Sequence, residues 1–189
     1  MKKEMKWLIA SDIHGSALYC EKLIEAWKRE KADRLLLLGD LLYHGPRNDL
    51  PEAYEPKKVI ELLNGLKDCA FSVRGNCEAE VDQMVLQFPI MAEYLLLPVG
   101  EKLIFATHGH IYHRDHHPFL RPNDILLFGH IHVPVCEKRN GLIFMNPGSL
   151  SMPKQDTPHG YMTFEKDLFE WKKLDGEVYM NYHWKEEED

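Results

Sequence analysis

Five short stretches of this chain carry side chains that bind metal ions well. Asp12 and His14, Asp40, Asn76, His108, and His130 with His132 supply two carboxylates, one amide oxygen and four imidazoles. Imidazole nitrogens and carboxylate oxygens are intermediate-to-hard donors, suited to Mn, Fe, Co, Ni or Zn rather than to a thiolate site. Asp12 and Asp40 are acidic, and a shared carboxylate can bridge two cations. Two metals about 3.5–4 Å apart can hold a bridging hydroxide and clamp both the attacking and the leaving oxygen of an in-line displacement. A bound divalent metal lowers the pKa of water from 15.7 to about 7, which makes hydroxide available at neutral pH. A lone histidine is more often structural than a ligand, so the weight rests on the whole set and its order.

The elements around these residues explain how distant stretches could meet. Lys6 to Ala10 is a short apolar run that ends in Ser11-Asp12, as a buried strand does. Arg34 to Leu38 is a second such run, stopped by Gly39-Asp40, and Ala70 to Val73 a third, followed by Arg74-Gly75-Asn76. Lys102 to Thr107 runs into His108, and Ile125 to Phe128 runs into Gly129-His130. Each candidate ligand therefore follows the end of a predicted strand. In α/β sheets the carboxyl ends of strands form one rim, where ligands bind. Gly15, Gly39, Gly75, Gly109 and Gly129 stand beside these residues and allow sharp exits from the strands.

Helical spacing marks Ser16 to Arg29, through Cys20, Leu23, Ile24 and Trp27, and Lys57 to Leu66, through Val59, Leu62, Leu63 and Leu66. A Pro-containing loop, Gly45 to Pro56, precedes the second helix, and Glu78 to Leu86 predicts a short third one. Beyond it the pattern becomes mainly strand. Tyr94 to Val99 pairs with Lys102 to Thr107 around Gly100. Val133 to Lys138 pairs with Leu142 to Met145 around Asn140-Gly141, and two or three more strands fill Tyr161 to Tyr182. The expectation is one α/β domain over residues 1–189, with the β-rich half forming a second sheet on the first and helices outside.

Composition narrows the function. With 189 residues and 44% hydrophobic content the chain suits one domain with a sizeable core. No run approaches the roughly 18 apolar residues of a membrane span, and Met1 to Trp7 lacks the pattern of a signal peptide, so a soluble, cytoplasmic protein is expected. The four cysteines, Cys20, Cys69, Cys77 and Cys136, form no CxxC pair and read as free thiols. A net charge of -7 argues against non-specific nucleic-acid binding, beyond nucleic acid as a substrate. It does not argue against a phosphorylated substrate, because bound metals reverse the local sign. The acidic tail, Lys185 to Asp189, reads as a solvated end.

The ordered strings Asp12-Ile-His14, Gly39-Asp40, Gly75-Asn76, His108-Gly109-His110 and Gly129-His130-Ile-His132 resemble the calcineurin-like metallophosphoesterase superfamily. The likeness extends to the small bacterial phosphodiesterases of the YfcE type. It runs through Ser11-Asp-Ile-His-Gly15, Leu38-Gly-Asp40, His44-Gly-Pro-Arg-Asn48, Val73-Arg-Gly-Asn-Cys77, Glu80-Val-Asp-Gln-Met84, Thr107-His-Gly-His110 and Asn146-Pro-Gly-Ser149. That resemblance implies two mixed β-sheets packed face to face and flanked by helices, a four-layer α/β/β/α sandwich. It implies two divalent metals, with manganese first and Ni, Zn, Fe or Co as alternatives. Asp12, His14 and His132 would bind the first metal, Asn76, His108 and His130 the second, and Asp40 both. The implied activity is hydrolysis of a small phosphodiester by in-line attack of a metal-bridging hydroxide. Asp40, Asn76 and His44 are the expected catalytic residues; His44, with Arg47 as a second candidate, would touch the substrate phosphate.

One departure stands out. Protein phosphatases of the superfamily carry histidine after the Gly-Asn pair, where this chain has Cys77. A neutral thiol is a poorer proton donor, which favours diesters with good leaving groups. Two alternatives remain: a phosphomonoesterase using the same metals, and a protein-binding scaffold, since the retromer scaffold subunit resembles this family. Homo-oligomers are common, but no interface is legible here. His113, His116 and His117 read as a solvated loop, His110 as a structural residue, and Asn146-Pro-Gly-Ser149 as a turn supporting the site wall.

Overall fold

The structure, a computed structural model, describes residues 4–118 and 120–184, so the acidic tail lies outside the described residues. β1 (Trp7–Ala10) leads to α1 (Ala17–Glu30), β2 (Arg34–Leu37), α2 (Pro56–Asn64), β3 (Ala70–Ser72) and α3 (Glu80–Val85). The strands β4 (Tyr94–Val99), β5 (Lys102–Thr107), β6 (Ile125–Leu127), β7 (Pro134–Arg139), β8 (Leu142–Pro147), β9 (Gly160–Glu165), β10 (Leu168–Lys173) and β11 (Val178–His183) complete the order.

The strands form a six-stranded sheet, β11-β10-β9-β1-β2-β3, and a five-stranded one, β4-β5-β6-β8-β7. Both are mixed. β1, β2 and β3 run parallel, with β9 antiparallel to β1. β5, β6 and β8 run parallel, flanked by antiparallel β4 and β7. The ligand-bearing exits of β1, β2 and β3 therefore share one end of their sheet, and those of β5 and β6 one end of theirs.

Period-two alternation distributes the core. Leu8, Ala10, Leu35 and Leu37 pack against Cys20 and Leu23 of α1 and Val59 and Leu63 of α2. Their neighbours Ile9, Leu36 and Leu38 point the other way, onto Ile104, Ile125, Leu127, Ile143 and Met145 of the second sheet. The two sheets thus face each other, as expected. The outer face of the second sheet carries Phe105, Leu126, Phe128 and Phe144, packed by Tyr112, Leu120, Ile131 and Val135. Among the described residues no helix lies between β5 and β8, so loop side chains and Val135 of β7 close that face.

Element ends match the sequence reading closely, and the shifts have reasons. α1 begins one residue after Ser16, whose hydroxyl caps it by accepting from Tyr19 N–H at 3.4 Å. α3 starts at Glu80 rather than Glu78; the Glu78 carboxylate is instead committed to three backbone N–H groups elsewhere. β9, β10 and β11 form an antiparallel meander in which β10 pairs with both others, which gives three late strands.

Candidate metal centre

The seven predicted ligands come together at the shared rim. Asp12, His14, Asp40, His108 and His132 are buried, His130 is half-buried and Asn76 is exposed. Five of the seven adopt a left-handed backbone: Asp12 at φ 59°, His14 at 50°, Asp40 at 56°, His130 at 67° and His132 at 61°. Such backbone costs on the order of 1–3 kcal/mol per residue and persists only where the surroundings hold it. Here the holding is visible. Asp12 carbonyl accepts from Ser149 Oγ at 2.9 Å and Ser151 Oγ at 3.0 Å. His14 N–H donates to Asp40 carbonyl at 2.9 Å, and Asp12 N–H to Gly39 carbonyl at 3.1 Å.

Two clusters result. In the first, His14 Nε2 lies 3.2 Å from His132 Nε2, and Asp12 Oδ1 lies 3.3 Å from His132 Nε2 and 3.7 Å from His14 Nε2. In the second, His108 Nε2 lies 3.0 Å from Asn76 Oδ1 and 3.2 Å from His130 Nδ1. Asp40 Oδ2 faces both, 3.7 Å from His14 Nε2 and 3.5 Å from His108 Nε2.

The donors fit a cation on physical grounds. His14 Nδ1 is 2.8 Å from Tyr43 carbonyl and His132 Nδ1 is 2.7 Å from Met152 carbonyl. Each ring thus donates through Nδ1, and the two Nε2 atoms can face each other only with a shared proton or a cation between them. Asp12 Oδ1 is buried without a hydrogen-bond partner, which is costly for a carboxylate unless a cation satisfies it. His108 Nδ1 likewise meets Leu38 carbonyl at 2.6 Å, so its Nε2 is aimed inward.

Titration behaviour follows from this crowding. Burial opposes charge on Asp40, but the contact with His108 and the nearby imidazoles outweigh it and hold the carboxyl well below its usual range. Burial opposes charge on His108 too, yet Asp40 and Asp12 raise it to about 9. His130 is pushed down to about 4 by burial and then by the charge of His108. Burial also lowers His14, partly offset by Asp12. Burial and the charge of Asp40 push the Cys77 thiol far up.

A cleft of about 610 Å³ opens over the clusters, lined by His14, Asp40, Asn76, Cys77, His130 and His132 together with Gly45 to Asn48 and Lys154. Sequence reasoning placed His44 at the substrate phosphate. Its ring instead stands edge-on between Tyr43 and Tyr54, with centroids 4.7 and 5.3 Å away, and it is not among the cleft-lining residues. The turn after it carries Arg47 into the cleft lining. His110 sits behind His108, ring centroids 5.3 Å apart. His116 and His117 are exposed on their loop, where His113 and His116 close a small backbone bridge.

Two groups were not foreseen. Lys154 lines the cleft, and nothing in its local sequence marks it. Glu78 accepts from Asp40 N–H at 2.9 Å, Leu41 N–H at 2.7 Å and Gly75 N–H at 2.5 Å, tying the second and third ligand loops together. An acid two residues beyond Asn76 is its only mark in the sequence. Gly75 is required at this crossing, since a Cβ there would collide with Asp40 and lie 2.6 Å from Glu78 Oε2. The Asn146 turn works as expected: Asn146 Nδ2 donates to Gly129 carbonyl at 2.7 Å, beside His130.

Comparison with known proteins agrees with this geometry. Residues 5–167 match the model of the calcineurin-like phosphoesterase superfamily domain. The chain is 45% identical over 164 residues to Phosphodiesterase YfcE of Escherichia coli strain K12, covering 87% of this chain and 89% of that protein. The solved structure of that E. coli phosphoesterase superposes with a TM-score of 0.92 at 42% identity, covering 96% of this chain and 100% of the other. Vacuolar Protein Sorting 29 from Cryptosporidium parvum aligns with a TM-score of 0.62 at 19% identity, covering 96% and 100%, which speaks to the fold alone.

Proposed function

Because the chain belongs to the calcineurin-like phosphoesterase superfamily, we propose that its rim site holds two divalent cations and hydrolyses a small phosphodiester. The observation that carries this reading is Asp40 Oδ2, one carboxylate oxygen facing an inward imidazole of each cluster at 3.7 and 3.5 Å. Asp12, His14 and His132 would hold the first cation, Asn76, His108 and His130 the second, and Asp40 both. Once bound, such a pair supplies hydroxide at neutral pH and neutralises charge developing on the phosphoryl oxygens during an in-line displacement.

The chain's own groups do the rest. Tyr43 and Met152 carbonyls fix the rings of His14 and His132, so their inward lone pairs need no reorganisation. Two carboxylates against two divalent cations leave a positive site in a chain of net charge -7, which attracts an anionic diester. Arg47 and Lys154, exposed at the cleft mouth, add donors for its oxygens. Cys77 stays a neutral thiol and protonates a leaving group poorly, which favours diesters whose alcohol departs readily. His44 acts through the aromatic wall it stiffens rather than by touching phosphorus.

Manganese is the proposed metal, the cytoplasm the proposed compartment and residues 1–189 a single proposed domain. Free cysteines suit a reducing compartment, and no helix among the described residues is long and apolar enough to cross a membrane. The test is hydrolysis of bis(p-nitrophenyl) phosphate and p-nitrophenyl phosphate by chelator-stripped protein resupplied with Mn, Ni, Zn or Mg. Metal-restored diester cleavage exceeding monoester cleavage supports the reading. Dominant monoester cleavage turns it into a phosphomonoesterase, and bound metal without turnover turns it into a scaffold.

A further inference from the structure

Beside the metal cleft lies a second, apolar groove that the chemistry above does not use. It measures about 390 Å³ and is lined by Leu42, Tyr43, Tyr54, Ile60, Val81 and Val85, with Cys77 at one end. Cys77 also lines the metal cleft, so the two spaces meet at its side chain. The wall between them is built from the site itself. Tyr43 supplies the carbonyl that holds His14 Nδ1 at 2.8 Å. Tyr54 packs on Gly15, next to that ligand, so closely that a Cβ there would lie 2.5 Å from Tyr54 Cε2. The His44 ring braces both tyrosines edge-on.

The occupant follows from size and lining. The space suits one ring or a short branched chain and not a folded partner. Its lining offers two phenol rings and aliphatic side chains from α2 and α3, several of them open to solvent: Val81 is 60% exposed, Val85 40% and Tyr43 41%. Resting on the phosphodiesterase reading, we propose that this groove binds one ester arm of the substrate, and that the arm is apolar and planar, an aryl or similarly flat group. Phosphorus would sit over Asp40 and Asn76, with the arm passing Cys77 into the groove.

The test measures binding directly, by calorimetry of methylphosphonate and phenylphosphonate on manganese-loaded protein. Each probe has one carbon arm that hydrolysis does not remove. Phenylphosphonate should bind about tenfold more tightly, the size of effect expected for burying a ring. The double variant Val81→Gln, Val85→Gln, neutral and at exposed positions, should cut that ratio to about twofold by weakening the phenyl probe. A ratio near one in the wild type overturns the proposal. So does a large ratio that the variant leaves intact. Sedimentation of both proteins covers the other occupant: a wild-type oligomer that the variant dissociates, with the ratio unchanged, makes the groove an interface between copies and overturns it too. Turnover of the aryl diester is read separately. Its absence with every metal strikes the phosphodiesterase reading, while the binding ratio still judges the groove.

Discussion

The two donor clusters share Asp40 but are built differently. Around Asp12, His14 and His132 every group is buried, both histidines are fixed through Nδ1 and the Asp12 carbonyl is pinned by two serines. Around Asn76, His108 and His130 only His108 has that support. Asn76 is exposed, with its amide donating to the neighbouring Cys77 sulfur at 3.2 Å, and His130 is half-buried at the cleft edge. Burial and outer hydrogen bonds pre-organise donors and raise metal affinity. On the two-metal proposal, the closed cluster would retain its cation, and the open cluster would exchange its own and meet substrate.

The strongest way to break this contrast is to remove what the clusters share. Asp40→Ala should lower diester turnover by about 10³-fold or more and deplete both metals, read by elemental analysis after dialysis. Near-normal turnover would end the two-metal reading. Next, the clusters should respond unequally. His132→Ala should cost about 10²-fold or more in turnover and lower metal affinity at the closed cluster, whereas Asn76→Ala should retain about one tightly held metal per chain. Equal metal loss from both variants would erase the distinction.

Protons give a third test. His108 is raised to about 9 in the metal-free protein, and a ligand must be neutral. Below about pH 9 the open cluster must shed that proton to take metal, so its apparent affinity should climb with pH, by up to about tenfold per unit. His14 is instead held below its usual value, so metal uptake at the closed cluster should depend less steeply on pH than at the open one. Calorimetry in two buffers of different ionisation enthalpy measures the proton count at each step, and identical heats would contradict it. The same group acts on stability with a definite sign. Its raised value stabilises the metal-free fold fully below its unfolded value near 6.5, and that contribution fades as pH rises through about 9.

The smallest effect concerns the thiol at the open edge. Cys77→His should raise monoester relative to diester turnover by several-fold if proton donation limits the former. An unchanged ratio in steady-state kinetics would move specificity away from leaving-group protonation.

Much of this centre is legible in the chain's linear pattern. Apolar runs of strand length, each stopped by glycine and a ligand-type residue, tell both where strands end and what stands there. Parallel strands then force their ends onto one rim, so Asp12, Asp40 and Asn76 had to be near one another once β1, β2 and β3 were read. His44 shows the limit. Its type and loop suggest a phosphate contact, while the ring stands edge-on to Tyr43 and Tyr54 and outside the cleft lining, a placement no local pattern gives. Glu78 read as the start of a helix because its three backbone partners belong to two different loops.

The chemistry of the donors, their order and the strands that deliver them follow from the sequence alone, since these depend on residue type and on periodicities of two and 3.6. Tertiary packing was needed to turn one oxygen of Asp40 toward both clusters, to seal one cluster and leave the other open, and to set Lys154 and an apolar groove beside the site. Those features depend on distances of a few ångströms between segments far apart in the chain, which are set by how the two sheets and their loops pack, and no local pattern encodes them.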